Sequence, residues 1–337
     1  MRRDIIVIGG SAGSGKVLRR IVSGLPRDLP AAVFISTHIP SNAPAYLAET
    51  LTDHSPIPIA VARDGDRIER GRIYLAPANC HLLLFPGGVR LGVGPRENMA
   101  RPAIDPLFRS AALAFGPRVI GVVLSGYLAD GAAGLHAVGQ CGGVTIVQHP
   151  AEAQAHDMPT AALEAARVDH VAAGAHIAPL LSRLTAEDAG PAPTHAPLED
   201  IELEVLIALG ERLGAQRLAN FATPTPLSCP QCHGVLSEIK DDGPLRFRCQ
   251  TGHAYNAEAA LIAQEPEVQD ALRIALRVIE ERSTLVTRMA EDARGSGRHA
   301  VADMYESRGA EYARYAKTLR DAATLSLRSA HELTEGA

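Results

Sequence analysis

Residues 4–16, Asp-Ile-Ile-Val-Ile-Gly-Gly-Ser-Ala-Gly-Ser-Gly-Lys, decide the fold. The apolar run Ile5-Ile8 has the length of a buried strand, and the glycines and serines after it break the run before a segment of helical period opens at Lys16. A strand that enters a helix through such a turn presents backbone N–H groups to an anion. Two chemistries use this arrangement. Gly10 to Lys16 fits the phosphate-binding pattern G-x-x-x-x-G-K, but Val17 stands where a Ser or Thr hydroxyl would hold Mg²⁺, and no later apolar strand ends in aspartate. In the other chemistry Ser11 is a nucleophile on an exposed turn, with helix N-terminal donors ready for a developing oxyanion. The plain alternative is a serine that only caps the helix, so Ser11 needs partners.

Moving outward, short apolar runs recur at Ala32-Ser36, Ile57-Val61, Ile73-Ala76, Leu82-Phe85, Val89-Gly92, Val119-Leu124, Val144-Val147 and His170-Ala172. Helical stretches at Lys16-Gly24, Ala43-Thr52, Asp105-Phe115, Ala132-Gln140 and Thr160-Glu164 alternate with several of them. This rhythm predicts a doubly wound α/β fold with a mostly parallel sheet and a short antiparallel excursion at residues 72–93. Ligands of such sheets bind at the carboxyl ends of the strands. Two residues join Ser11 at that edge: His38, just after Ala32-Ser36, and Asp130, in the loop after Val119-Leu124. Singly, a strand-end histidine is an ordinary loop residue among 13 histidines, and Asp130 an ordinary turn or cap residue. Together they supply nucleophile, base and orienting carboxylate.

The chain has 337 residues, 46% hydrophobic and 21% charged, with a net charge of −5. That length supports two or three domains. An isoelectric point near 6.2 gives no electrostatic reason to expect nucleic acid or an anionic membrane as partner. No apolar run reaches the roughly 20 residues of a membrane span, and Met1-Arg2-Arg3-Asp4 leads into a strand without a signal-peptide core, so a cytoplasmic protein without membrane insertion is expected.

Residues 186–200 (AEDAGPAPTHAPLED) read as a linker, which sets expected domains at 1–185, 201–255 and 256–337. After a helical stretch at Ile201-Leu213, Cys229-Pro230-Gln231-Cys232 and Cys249-x-x-x-His253 form two ligand pairs spaced as in a zinc ribbon. Three thiolates and one imidazole would close a tetrahedron, so the expected Zn²⁺ is structural; His233 is the reserve ligand. Arg246-Phe247-Arg248 reads as the strand leading into the second pair. Cys80 and Cys141 read as packed thiols. Beyond residue 256, heptad-like stripes on both sides of Gly295-Ser296-Gly297, interrupted at Arg282 and Arg308, predict an antiparallel helical hairpin.

The first domain resembles the catalytic domain of the chemotaxis protein-glutamate methylesterases of CheB type, over about residues 4–182. The resemblance is carried by Val7-Ile8-Gly9-Gly10-Ser11-Ala12-Gly13, Thr37-His38-Ile39-Pro40, Leu124-Ser125-Gly126 through Asp130-Gly131, Gly71-Arg72-Ile73-Tyr74-Leu75-Ala76-Pro77 with His81, Arg101-Pro102-Ala103-Ile104-Asp105-Pro106-Leu107-Phe108, and Met158-Pro159-Thr160-Ala161-Ala162. It implies a serine hydrolase that needs no catalytic cofactor and demethylates glutamate γ-methyl esters on chemoreceptor cytoplasmic helices, with glutamine deamidation as a companion activity. Carried over residue by residue, Ser11 would attack, His38 would move the proton, and Asp130 would orient the imidazole. Ala12, Gly13, Gly126 and Tyr127 would form the oxyanion and substrate loops.

Three departures stand out. Ser14 replaces a frequent second glycine, Tyr127-Leu128 replaces a common Met-Gly, and the catalytic strand starts at Asp4 where the familiar form has a preceding receiver domain. The resemblance thus implies a stand-alone form with a zinc and helical extension, whose further partners are a cognate receptor methyltransferase, a separate response regulator, or a second copy joined through the C-terminal helices. A catalytically inactive CheB-like adaptor that binds chemosensory partners is the competing reading.

Overall fold

The computed structural model describes residues 1–38, 46–194, 198–212 and 214–335. In chain order the first part comprises β1 (Ile5–Gly10), α1 (Ser14–Gly24), β2 (Ala32–Thr37), α2 (Tyr46–Thr52), β3 (Ile59–Val61), β4 (Arg72–Leu75), β5 (His81–Phe85), β6 (Gly88–Gly92), α3 (Ile104–Phe115), β7 (Val119–Val123), α4 (Ala132–Gln140), β8 (Val144–Gln148), α5 (Asp157–Ala165), β9 (His170–Ala172) and α6 (Ile177–Ala186). Seven strands form one parallel sheet in the order β3-β4-β2-β1-β7-β8-β9.

All six residues of β1 and of β2 are buried, as expected of strands covered on both faces. The period-2 alternation sorts them: Ile5 and Val7 join the core under α3 and α4, whereas Ile6 and Ile8 join the opposite core with Leu18, Ile21 and Leu181 from α1 and α6. The antiparallel excursion differs from its expected place. Arg72–Leu75 is a parallel strand of the main sheet, and only β5 and β6 pair antiparallel, as a separate hairpin. Helix α6 fills a stretch with no assigned element, and the start of the expected helix at 43–45 lies outside the described residues.

Next follow α7 (Leu198–Leu209), α8 (Gly214–Phe221), β10 (Ala222–Ser228), β11 (Val235–Ile239), β12 (Arg246–Cys249) and β13 (Ala254–Asn256), the strands forming an antiparallel sheet in sequence order. Residues on either side of the expected linker pack into one compact unit, Met1–Ala260. The reason is that α7 lays Ile201 and Val205 into the core beneath α3, and its C-terminal carbonyls accept N–H bonds from Val93 and Gly94 at 3.3 and 3.1 Å. Residues 195–197 of that stretch lie outside the described residues.

The second unit, Leu261–Ala337, is built from the rest of α9 (Ala257–Gly295) and from α10 (His299–Glu335). These helices pair antiparallel, with Arg294 bridging to Asp303 and Glu306 near the turn and Arg320 meeting Glu280 further away. Their seam buries Val286, Ala290, Ala293, Ala302 and Ala316, small residues that allow close approach. Among the described residues no helix is long and apolar enough to cross a membrane.

Candidate active site

The strand register fixes what meets at the sheet edge. Gly9 and Gly10 pair with Ser36 and Thr37, and Gly9 with Val123, so the residues just beyond β1, β2 and β7 emerge side by side. Ser11 sits in the turn between β1 and α1, where its N–H donates to Ser125 O at 2.8 Å. Ser14, the departure from the family pattern, tightens that turn by donating its hydroxyl to Ser11 O at 2.7 Å. The two glycines around Ser11 are required by close approach. Gly13 has φ +78°, and a Cβ there would lie 2.5 Å from Gln154 Cβ; a Cβ on Gly126 would lie 2.8 Å from Ser11 Cβ and 2.0 Å from Met158 Sδ.

His38 directly follows β2, and its Nε2 lies 2.7 Å from Asp130 Oδ2. Asp130 is 1% exposed and receives four donors: Nε2 of His38 and the Ile104 N–H at 2.7 Å each on Oδ2, and Asn98 Nδ2 at 3.0 Å with the Asp105 N–H at 3.3 Å on Oδ1. The amides of Ile104 and Asp105 are the N-terminus of α3, whose dipole favours a carboxylate there. Burial pushes Asp130 upward, but the His38 bond and charge, the Ile104 amide and Asn98 outweigh it and hold the carboxyl at about 2. Asp130 is therefore held as an ionised acceptor facing the Nε2 edge of the His38 ring. Asp105 takes the opposite shift: burial, reinforced by the charge of Asp130, pushes it up to about 7. Its Oδ1 accepts from the Gly131 and Gly134 amides at 3.0 and 2.7 Å, tying the Asp130 loop and α4 to α3.

Ser11, His38 and Asp130 line one open cleft, walled by Arg96, Asn98, Met99, Arg101, Tyr127 and Leu128. Arg101 is fixed by Asn79 Oδ1 at 2.7 Å and by the Gly94 carbonyl at 2.7 Å. Of the amides expected to face an oxyanion, that of Gly126 is already bonded to Ala155 O at 3.1 Å, which limits Gly126 to shaping the loop. The amides of Ala12, Gly13 and Tyr127 meet no acceptor among the described residues. Ile39 and Pro40 of the histidine motif lie outside the described residues.

Sequence reading missed Asn98, and it missed a buried ionic cluster beside it. Arg109 of α3 pairs with Glu97; Arg248 of β12 bonds Glu97 at 3.1 Å and Glu204 of α7 at 2.7 Å; Arg246 bonds Glu204 at 2.6 Å and also Asp241. Glu97, Arg109, Glu204 and Arg248 are each at most 2% exposed. The one local hint is Asn98 itself, at φ +49°, a left-handed position that asparagine tolerates.

In the antiparallel sheet, Cys229, Cys232, Cys249 and His253 bring their ligand atoms within 4.8 Å of one another. Cys232 and Cys249 sulfurs are 3.6 Å apart, and His253 Nδ1 is 3.5 and 3.6 Å from the sulfurs of Cys249 and Cys229. A tetrahedral zinc with bonds of about 2.3 Å to sulfur and 2.0–2.1 Å to nitrogen requires edges of about 3.8 and 3.6 Å, so the four residues fit it. The ligand pairs sit on tight turns with left-handed residues, His233 at φ +58° and Gly252 at φ +97°. His233, the reserve ligand, is not part of the four-residue cluster.

Comparison with known proteins agrees with the fold of the first part of the chain. Residues 6–181 match the family model described as CheB methylesterase. A protein-glutamate methylesterase/protein-glutamine glutaminase of Anaeromyxobacter dehalogenans is 39% identical over 170 residues, 50% of each chain. One of the same name from Methanosarcina acetivorans is 35% identical over 165 residues, 47% of this chain and 46% of its own. The chain thus spans about half the length of the curated relatives it matches. The crystal structure of the Thermotoga maritima CheB methylesterase catalytic domain superimposes with a TM-score of 0.53 at 29% identity, covering 55% of this chain and all of that one. Through its first half, with a matched family pattern that spans more than half its length, this chain belongs to the CheB methylesterase family.

Proposed function

We propose that the protein is a protein-glutamate methylesterase, a serine hydrolase acting on glutamate γ-methyl esters of chemoreceptor cytoplasmic helices, with deamidation of glutamine as a second reaction of the same site. The observation that carries this reading is the convergence of Ser11, His38 and Asp130 on one cleft, with the imidazole bonded to an ionised, fully buried carboxylate. Ser11 Oγ attacks the ester carbonyl and passes its proton to His38 Nδ1; Asp130 holds the ring through Nε2–H and stabilises its cationic form. The tetrahedral oxyanion is received by the amides of Ala12, Gly13 or Tyr127. Collapse expels methoxide, which takes the proton from His38 and leaves as methanol. Water then attacks the acyl-serine with His38 again as base, releasing the carboxylate and restoring Ser11. An amide substrate follows the same path and releases ammonia.

The Cys229, Cys232, Cys249 and His253 site holds a structural Zn²⁺ in this reading: four protein ligands leave no position for a reacting water, and the metal cross-links β10–β13, a sheet with a small core of its own. The apolar residues that α9 leaves exposed, Leu261, Val268, Ile274 and Leu285, suit docking of a second copy; sedimentation velocity of the full chain distinguishes this from docking of a methyltransferase or response regulator. The function is tested by methanol release from methyl-labelled receptor cytoplasmic fragments. Release that falls by at least about 10³-fold in Ser11→Ala is expected. No release from several receptor fragments by the folded protein would replace the esterase with the adaptor reading.

A further inference from the structure

The carboxylate of the triad is gripped by the metal-ligand sheet. Asn98 donates through Nδ2 to Asp130 Oδ1 at 3.0 Å and to Asp105 Oδ2 at 3.1 Å. The rest of the same residue is bonded to β13: its N–H donates to Ala254 O at 2.8 Å, and its Oδ1 accepts from the Asn256 N–H at 2.9 Å. Strand β13 starts one residue after the ligand His253. On the other side of the second ligand pair, Arg248 precedes Cys249 and bonds Glu97, the neighbour of Asn98, at 3.1 Å. Glu97 and Asn98 are therefore held by residues on both sides of the Cys249–His253 turn, and both are buried.

The side chain of Asn98 is engaged at both ends: its acceptor faces β13 and its donors face the two aspartates. Without it, Asp130 Oδ1 keeps, among the described residues, the Asp105 N–H at 3.3 Å, a long bond that fixes the carboxylate plane weakly. The turn that carries the grip is itself closed by two backbone bonds, from Cys249 N–H to His253 O at 3.0 Å and from Gly252 N–H to Cys249 O at 2.9 Å, and by the metal ligands.

We infer that Asn98 is a positioning residue for Asp130, and that metal bound by Cys229, Cys232, Cys249 and His253 sets the reactivity of Ser11 by holding β13 against Asn98. The inference rests on the triad reading above and adds a regulation to it: loss of the metal loosens β13, Asn98 and Asp130 in turn, and lowers the rate at the nucleophile.

The test uses the full chain and a fluorophosphonate probe, with the adduct located by mass spectrometry, so it needs no receptor. Asn98→Asp keeps an oxygen for the Asn256 N–H but turns a carboxylate oxygen toward Asp130; Asn98→Ala removes all three side-chain bonds. Each variant, confirmed folded by circular dichroism, is expected to lose about 10- to 100-fold in maximal labelling rate at Ser11, with the half-saturating probe concentration changed less than about 3-fold. Stripping zinc with a chelator, with metal content measured, is expected to produce a similar loss that added zinc restores. In Asn98→Ala the same stripping is expected to add less than about 2-fold, because coupled residues are non-additive. Unchanged labelling in the Asn98 variants, losses that multiply, or a purified protein without bound metal would overturn the inference. Should Asn98→Ala fail to fold, Asn98→Asp takes its place in the cycle. Labelling that lands elsewhere than Ser11, or survives Ser11→Ala, refutes the triad reading instead, which keeps the two failures apart.

Discussion

Replacing Glu204 by glutamine tests whether the ionic cluster between α3, α7 and β12 is a buried, charge-matched unit. Arg109, Arg246 and Arg248 face Glu97, Glu204 and Asp241, three guanidiniums against three carboxylates. Glu204 is 2% exposed and touches all three arginines, at 3.6, 2.6 and 2.7 Å. Glutamine preserves shape but deletes one charge, leaving Arg246 with Asp241 and Arg248 with Glu97, and an uncompensated positive charge where water does not reach. Breaking one partner of a buried pair costs about 3–5 kcal/mol. For a unit of this size that lowers Tm by roughly 10 °C. Urea unfolding of the full chain followed by circular dichroism reads the loss as a lower midpoint at unchanged slope. Glu202→Gln, exposed on the same helix, serves as the control, expected within about 0.5 kcal/mol of the parent. Burial pushes the Glu204 carboxyl up, but the charges of Arg109, Arg246 and Arg248 outweigh it and hold it well below the ordinary carboxylate range. Its contribution is therefore full above pH 4.5 and is lost only as pH falls through the depressed folded-state value. A loss under about 1 kcal/mol at pH 7 would refute the buried-cluster account.

Three further outcomes are expected. Gly126→Ala forces Met158 and Ser11 apart, since its Cβ would fall 2.0 Å from one and 2.8 Å from the other; it should cost about 1–3 kcal/mol of stability and slow Ser11 labelling, and wild-type labelling would contradict the packing. Asp4 is buried, which raises its carboxyl, but Arg118 and Arg70 bond it at 2.8 Å and lower it overall, so it stabilises above pH 3.8 and fades as pH falls below that. Asp4→Asn should then lose about 1.5–3 kcal/mol at pH 7 and less near pH 2, read from midpoints across pH; a pH-independent difference would contradict the pairing. Cys232→Ser should reduce bound zinc below one equivalent per chain by elemental analysis and loosen amide exchange in β10–β13, whereas full zinc retention would remove Cys232 from the ligand set.

The parts of this molecule legible in the sequence are those whose cause is local. Ile5-Ile8, Ala32-Ser36 and Val119-Leu124 read as strands because both faces are buried and no polar residue interrupts them. Ser11, His38 and Asp130 could be placed at one edge because parallel strands all end there. The ligand pairs were legible from spacing, which the antiparallel pairing of β11, β12 and β13 converts into proximity. The illegible parts are long-range. Glu97, Arg109, Glu204 and Arg248 look like surface charges in any window; their burial comes from pairings such as Glu97 with Arg248, 151 residues apart. Asn98 had no signal beyond its turn-prone type, because its role depends on Ala254 and Asn256 arriving from another sheet. The linker at 186–200 likewise read as a boundary, since composition cannot show that α7 continues into the first core.

The most direct measurement of the central claim is the mass of the Ser11 peptide after the full chain is mixed with a glutamate γ-methyl ester peptide and quenched in acid within one turnover. The account predicts an acyl adduct on Ser11, lost to hydroxylamine and absent in Ser11→Ala. Methanol release without any Ser11 adduct, and undiminished in Ser11→Ala, would contradict it.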